Sequence, residues 1–362
     1  MKIKFVIVAV LVLVGSACYA ATTDYAVGTC LPKLHSYSTI SAAVAAVPSG
    51  SIVEVCPGTY AEQVTISKPL TLEGITSDNS AQAIIAIPSG GLAGSGLVAQ
   101  VTVTAGPVNI TNITVDGTNN NLNGNPTLAG IYYAPGSSGT IKFVNTQFQL
   151  DAGNGLGILG NGESLTIENC NIHDFDFAGI EVSDSAPSTV NENYVNVASA
   201  TGLVTGIIVE NTASLTGNTI SGPGNSIDSE GIVVDSESAT VTNNTFTNWL
   251  YAIVDYGGAK YTSNTIRNTG VGMLLGTTGA TVDSNVITEA VYDGIEFGCN
   301  TNSVKGNTLN NMAIGIEGIP ASVTSTNTYY NVQEIRDNCG APTSAALHAG
   351  LPMAPARVPV VR

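Results

Sequence analysis

The chain contains little charge, and positive charge is especially scarce. Only 10% of its 362 residues are charged, and 11 Lys and Arg stand against 27 Asp and Glu, which gives a net charge of −16. Nucleic-acid binding draws much of its affinity from Lys and Arg on phosphates, so no nucleic-acid partner is expected. A polyanionic substrate would need a bridging cation or a local basic patch.

Low charge does not make this chain disordered, because 43% of its residues are hydrophobic and can bury a large core. Helix interiors disfavour glycine and β-branched residues, and the chain has 40 glycines together with many Val, Ile and Thr. Such a composition favours strands joined by tight turns. We therefore expect an all-β protein.

Only the N-terminus carries a long apolar run. Lys2 and Lys4 precede apolar residues 5–14 and a Cys18-Tyr-Ala20 ending, the three-part layout of a secretory signal peptide. The run is too short to cross a bilayer core of about 30 Å, and no later segment is predicted to do so. We predict a signal peptide over 1–20, with a lipoprotein signal through Cys18 as the less favoured alternative. The mature chain would then be secreted or periplasmic.

Five cysteines remain after that cleavage, and an odd number leaves at least one unpaired. We predict a disulfide between Cys30 and Cys56, which flank the start of the first repeat. A pairing of Cys299 with Cys339 is left open. Cys170 falls on an inward position of the repeat described next, so we expect a buried, unreactive thiol.

A six-residue pattern recurs along the chain: an apolar residue, two polar residues, Asn, any residue, and a second apolar residue. Successive Asn positions are 25, 26, 20, 21, 22 and 20 residues apart. Upstream, the same position is assigned to Ile113, Thr146 and Cys170. A second column, Gly followed by an apolar residue, shares the period from Gly130 to Gly315. The pattern's asparagines are Asn193, Asn218, Asn244, Asn264, Asn285, Asn307 and Asn327.

Two columns with one period of 20 to 26 residues are typical of a solenoid. Parallel strands stacked about 4.8 Å apart place equivalent residues over one another, so buried Asn amides can form a ladder. We predict a single-stranded right-handed parallel β-helix over 21–340, with a short capping helix within 38–47. Residues 341–362, rich in Ala and Pro, are predicted to be a disordered tail.

The entry to the solenoid carries a family resemblance. The segments 37–50, 52–66 and 68–74, which include Gly58-Thr-Tyr60, resemble the N-terminal entry of the pectin-lyase-like superfamily. The resemblance implies a β-helix that binds or processes polysaccharide, as a lyase or hydrolase does. The catalytic motifs of its pectin methylesterases, polygalacturonases and alginate epimerases do not occur in the chain, so it assigns no active site.

The densest polar segment runs from 171 to 184 and supplies the catalytic candidates. His173, Asp174, Asp176 and Glu181 would provide an acid, a base and a cation ligand along one side of the coil. The alternative is that they are solvated turn residues.

Further candidates lie on the following rungs. Asp184, Glu210 and Asp235 are predicted to stack and to bind a metal, with Ca²⁺ the possible cofactor, or else to splay into water. Four further acids, Asp228, Glu230, Glu237 and Asp255, are expected to extend the acidic surface nearby.

Arg267 is the candidate basic group near Glu289, Asp293 and Glu296. The predicted substrate-binding residues are Asn196, Glu210, Trp249, Tyr256 and Arg267. Trp249, Tyr256 and the nearby Tyr251 would stack on sugar rings or else lie half-buried at solenoid corners. The favoured alternative for Arg267 is an ordinary surface ion pair.

Two functional hypotheses remain open from the sequence. The first is a polysaccharide lyase or hydrolase; the second is a non-catalytic surface or periplasmic protein that binds polysaccharide or a cell-surface glycan. We expect a monomer in either case.

Overall fold

A computed structural model shows the chain as a parallel β-helix. The predicted signal peptide, the predicted tail and both Cys299 and Cys339 lie outside the residues it describes. In the described part, no helix is long and apolar enough to cross a membrane. The described residues are 23–76, 82–120, 127–147, 155–200, 202–298, 302–318 and 326–336.

Each full rung passes through three stacks of parallel strands, which we call the first, second and third sheets in the order the chain meets them. Strand pairing joins the second and third into one 22-stranded assembly. The first sheet has 13 strands. They are β1 (Asp24–Val27), β2 (His35–Tyr37), β3 (Ser51–Val55), β6 (Leu70–Gly74), β9 (Val108–Thr111), β12 (Ser138–Lys142), β15 (Ser164–Glu168), β18 (Ser188–Asn191), β21 (Ala213–Thr216), β24 (Thr240–Thr242), β27 (Lys260–Thr262), β30 (Thr281–Asp283) and β33 (Ser303–Lys305).

The second sheet follows the first after a tight turn and is made of short strands. Its strands are β4 (Gly58–Ala61), β7 (Ala83–Ala86), β10 (Ile113–Asp116), β13 (Asn145–Gln147), β16 (Asn171–His173), β19 (Tyr194–Asn196), β22 (Thr219–Ser221), β25 (Thr245–Thr247), β28 (Thr265–Thr269) and β31 (Val286–Ala290).

The third sheet completes the rung, and the last two long strands run through both the second and the third sheet. The third-sheet strands are β5 (Val64–Ile66), β8 (Leu97–Val103), β11 (Thr127–Tyr133), β14 (Gly155–Gly160), β17 (Ala178–Val182), β20 (Val204–Val209), β23 (Ser229–Val234), β26 (Tyr251–Asp255), β29 (Val271–Leu275) and β32 (Asp293–Phe297), and the shared strands are β34 (Thr308–Glu317) and β35 (Thr328–Arg336).

The second predicted column is confirmed as an inward-facing stack in the third sheet. From Ile131 to Ile316, the apolar residue that follows each Gly, or Ala252, pairs with its counterpart on the next rung. All of these side chains are fully buried in the main core. Because side chains alternate along a strand, the residue that follows each of them faces outward.

The Asn ladder is also confirmed. Asn218 Nδ2 donates to Asn244 Oδ1 at 2.8 Å, and Asn244 Nδ2 donates to Asn264 Oδ1 at 3.1 Å. The chain of such bonds continues from Asn193 to Asn327. Each Asn oxygen also accepts the backbone N–H of the ladder residue one rung earlier, so the buried amides are well paired.

One rung of the predicted register is wrong by two residues. The structure pairs Ile141 with Ile167 and Asn145 with Asn171, so Val144, not Thr146, occupies the ladder position. Phe143 consequently lies at the corner, 52% exposed and with φ of 54°. The apolar spacing predicts the wrong register here because it places Phe143 in the core, whereas Phe143 is exposed.

The N-terminal cap forms as predicted. Helix α1 (Ile40–Ala46) begins after Thr39, whose Oγ1 accepts from Ala42 N at 3.1 Å. Glu62 accepts from the first two N–H groups of the helix at 2.8 and 2.9 Å, and Lys68 Nζ donates to carbonyls at its end. These opposite charges complement the helix dipole. The predicted Cys30–Cys56 disulfide is present, with a Cα–Cα distance of 5.7 Å.

Candidate functional site

The outer face of the third sheet buries carboxylates although it faces away from the core. Glu181 is 4% exposed and Glu230 3% exposed, while Asp293 and Glu317 are fully buried. Their Cα atoms lie in two adjacent columns of the sheet. Burying ionisable groups is costly, so their concentration on one face marks a candidate functional site.

Among these acids only Glu230 lies on a rung next to Tyr251, which belongs to a small apolar cluster separate from the main core. The backbone of Tyr251 pairs with Glu230 on one side and Val271 on the other. Burial, and then the negative charges of Glu296, Asp228 and Glu230, raise the pKa of Tyr251 to about 12. The phenol therefore keeps its proton at neutral pH and can donate a hydrogen bond.

Two carboxylates near Tyr251 have different surroundings. Glu230 Oε2 accepts from Thr205 Oγ1 at 3.1 Å. Burial raises the pKa of Asp228, whose buried Oδ1 has no hydrogen-bond partner among the described residues. A carboxyl group with a raised pKa next to a second carboxyl group is the combination used for acid–base cleavage of glycosidic bonds.

The predicted catalytic quartet does not gather at one place. His173 and Asp174 lie together at the end of a second-sheet strand, with Nδ1 2.8 Å from Asp174 Oδ2. Asp176 lies in the following turn and accepts from Gly155 N. Glu181 belongs to the outer face of the third sheet, beside Leu159 and Ile208. The turn between strands β16 and β17 separates them because it redirects the chain from one sheet to the next.

The predicted metal-binding column is wrong at Asp184. Glu210 and Asp235 do follow paired strand ends, but Ser183 occupies their position on the preceding rung. The Asp184 carboxylate is 2% exposed and accepts from Gly162 N and Ser188 Oγ, both at 2.7 Å. Through these hydrogen bonds the Asp184 carboxylate stabilises a turn, and it does not face solvent. In the described ranges no three His, Cys, Asp or Glu side chains are grouped as metal ligands would be.

The predicted substrate-binding residues are scattered over the molecule. Stacking on a sugar would need an exposed ring, but Trp249 is fully buried in the core. Its Nε1 donates to Ile220 O at 3.0 Å. Tyr256 is 39% exposed and contributes to the electrostatic surroundings of Tyr251. Asn196 and the exposed Arg267 belong to the outer face of the second sheet.

Two further residues considered from the sequence, Cys170 and Asp255, are both buried. Cys170 is 2% exposed, and burial raises the pKa of its thiol to about 11, which confirms an inward, unreactive cysteine. Asp255 does not extend the acidic surface, because it is buried and accepts from Tyr261 OH at 2.7 Å and from Gly258 N.

The sequence predicts Asp228 and Glu230 only as surface acids and Tyr251 only as a residue that could stack on a sugar, and it does not bring the three together in one site. A usable signal was present, because the residue before each Gly of the second column lies on the outer face of the third sheet. At that position stand Thr205, Glu230, Tyr251 before Ala252, and Asp293. Thr205, Glu230 and Tyr251 occupy three consecutive rungs, and polar residues in one outward column predict a shared surface.

Comparison with known proteins agrees with this fold. The family model "Right handed beta helix region" matches residues 99–260, which confirms the predicted hand. The A-module of mannuronan C-5 epimerase AlgE4 from Azotobacter vinelandii is 19% identical, with a TM-score of 0.58, over 83% of this chain and 91% of that one. GH136 lacto-N-biosidase from Eubacterium ramulus is 10% identical, with a TM-score of 0.50, over 87% and 67%. No curated protein sequence matches the chain.

Proposed function

We propose that this protein is exported and hydrolyses glycosidic bonds of a polysaccharide that lies along the outer face of the third sheet. The observation that carries the proposal is the group of acids around Tyr251, the buried Glu230 and the half-buried Asp228 and Glu296, on a face turned away from the core. The two similar structures are named as proteins that process glycans, which supports a carbohydrate-active role. The Cys30–Cys56 disulfide is typical of an oxidising compartment and supports export.

The surroundings of each group suggest its role. Asp228, whose pKa is raised by burial, is the proton donor to the leaving glycosidic oxygen. Glu230, oriented by Thr205, is the carboxylate that activates water or stabilises the positive charge developing on the sugar. Tyr251, a neutral phenol, donates a hydrogen bond that orients the sugar.

The test is turnover of a panel of polysaccharides by the purified chain. Neutral glucans, mannans and xylans, as well as pectate and alginate with and without Ca²⁺, are incubated with the protein, and new reducing ends are measured. We expect Asp228→Asn and Glu230→Gln to lower kcat about 100-fold or more, because each removes an acid or base. Tyr251→Phe keeps the ring packed and should lower kcat about tenfold, the effect of one lost hydrogen bond.

The matched control is Glu237→Gln, which removes an equal charge from an exposed turn and should leave kcat unchanged. Absence of turnover across the panel, or full activity in Glu230→Gln, would contradict the proposal. Saturable binding without turnover would instead support the non-catalytic glycan-binding hypothesis.

A further inference from the structure

The outer face of the second sheet contains a hollow of about 500 Å³ that is separate from the acidic face of the third sheet. It lies across the rungs of strands β13 and β16. One aromatic ring, several side-chain amides and one imidazole line most of it. These residues are Gln82, Phe143, Asn145, Asn169, Asn171 and His173.

Phe143 is the unusual residue of this hollow. The corresponding corner positions on other described rungs, such as Asn112, Asn169, Ser263 and Gly306, are small or polar and share its positive φ. A Phe with φ of 54° and half of its side chain exposed is conformationally unfavourable and gains little from burial. Strain at an exposed aromatic residue points to a role outside folding.

The polar wall of the hollow is held in position before any ligand arrives. Asn145 Oδ1 accepts from Asn171 Nδ2 at 2.7 Å and lies 3.1 Å from His173 Nε2. Asp174 Oδ2, 2.8 Å from His173 Nδ1, holds the other side of the ring. A preorganised set of amides next to an aromatic ring suits sugar hydroxyls on one side and the apolar face of a pyranose on the other.

The charges around the hollow favour a neutral sugar. Lys142 Nζ lies 5.1 Å from the centroid of the Phe143 ring, but it is paired with Glu168 at 2.9 Å. His173 is likewise paired with Asp174. The six lining residues named above contain no Lys or Arg that would bind a uronate carboxylate.

We infer that this hollow is a second glycan-binding site, selective for neutral oligosaccharides and independent of turnover on the third sheet. Phe143 supplies the stacking surface, Asn145 and Asn171 supply hydrogen bonds to hydroxyl groups, and His173 holds Asn145 in position.

The histidine side chains offer a local readout, because the full sequence has only three. The ring C–H signals of His173 are followed by NMR while maltohexaose, cellohexaose, laminarihexaose or mannohexaose is added. His35 lies at the start of the first sheet and serves as an internal control. We expect at least one neutral hexasaccharide to shift the His173 signal in a saturable manner and hexagalacturonate to leave it unchanged.

Phe143→Ala should weaken this binding about tenfold, the effect expected of an aromatic anchor. Tyr330→Ala, which removes a similarly exposed ring from the last strand, should leave it unaltered. Glu230→Gln should abolish turnover but not the His173 shift, which separates failure of this site from failure of the proposed hydrolysis. A shift with hexagalacturonate alone, no shift with any neutral probe, or undiminished binding by Phe143→Ala would overturn the inference.

Discussion

The two corners that flank the first sheet are built differently. Between the first and second sheets each rung from Phe143 onward turns through two residues, and from Asn193 onward the second of them is a buried Asn bonded to the next. Between the third and first sheets the turns vary in length, and single carboxylates hold individual turns, as Asp184 and Asp255 do.

This difference follows from hydrogen-bond capacity. An amide donates and accepts at once, so each Asn can satisfy the Asn below while being satisfied by the one above. A carboxylate only accepts, and stacked carboxylates about 5 Å apart repel one another. Asp184 and Asp255 therefore each stand alone, surrounded by donors such as Gly162 N and Tyr261 OH. A repeated buried position must carry a side chain that pairs with its own kind.

The largest effect is expected when a carboxylate is placed in the ladder. Asn244→Asp is nearly isosteric, but it sets an acceptor against Asn264 Oδ1 and Leu215 O, to which Asn244 Nδ2 now donates. We expect the free energy of unfolding at pH 7 to fall by about 4 kcal/mol, because a buried charge loses its hydration. Chemical denaturation measures it. The surface control Asn225→Asp should change stability by less than about 0.5 kcal/mol, and equal losses in both variants would refute the explanation.

A smaller effect of opposite sign is expected at the irregular corner. Phe143→Asn replaces the bulky residue with one that adopts a positive φ readily, as Asn112 and Asn169 do on the adjacent rungs. We expect a gain of about 1 kcal/mol, the penalty of a left-handed conformation for an ordinary residue. The reverse change, Asn243→Phe, should cost a similar amount. Thermal unfolding of both variants checks the pair, and a loss of stability in Phe143→Asn would show that its ring contributes to folding.

The smallest effect concerns the pH dependence of the carboxylate corner. Burial raises the pKa of Asp184 above its ordinary value of 3.8, although Ser188 and Gly162 act in the opposite direction. The folded state therefore holds the proton more tightly than the unfolded state. As pH rises from about 4 through the raised pKa, ionisation of Asp184 should lower the free energy of unfolding, and the loss should level off above that pKa.

The comparison variant is Asp184→Asn, which cannot ionise. Denaturation midpoints of both proteins are measured between pH 3.5 and 7. As pH rises, the stability of the wild type relative to that of the variant should fall. A constant difference, or one that favours the wild type at higher pH, would contradict the stated cause.

The structural features that could be predicted from the sequence are those that repeat from rung to rung or are set by local residues. The ladder, the inward Gly-apolar column and the cap helix were predictable because recurring or local chemistry determines them. The register at Phe143, the burial of Trp249 and the inward turn of Asp184 were not, since each depends on one turn of non-repeating length. The four residues of the predicted catalytic quartet lie apart for the same reason, because the turn after His173 separates this residue from Glu181.

The amino-acid sequence alone determined the solenoid: its period sets the rung, its alternation sets which side chains face inward, and its asparagines set the register. Only the tertiary structure decided which outward residues become buried together, and it placed Glu230, Tyr251 and Asp228 on one face. The physical reason is that inward burial is imposed by each strand's own alternation, whereas outward burial depends on neighbouring turns that cover the sheet. Those turns differ from rung to rung.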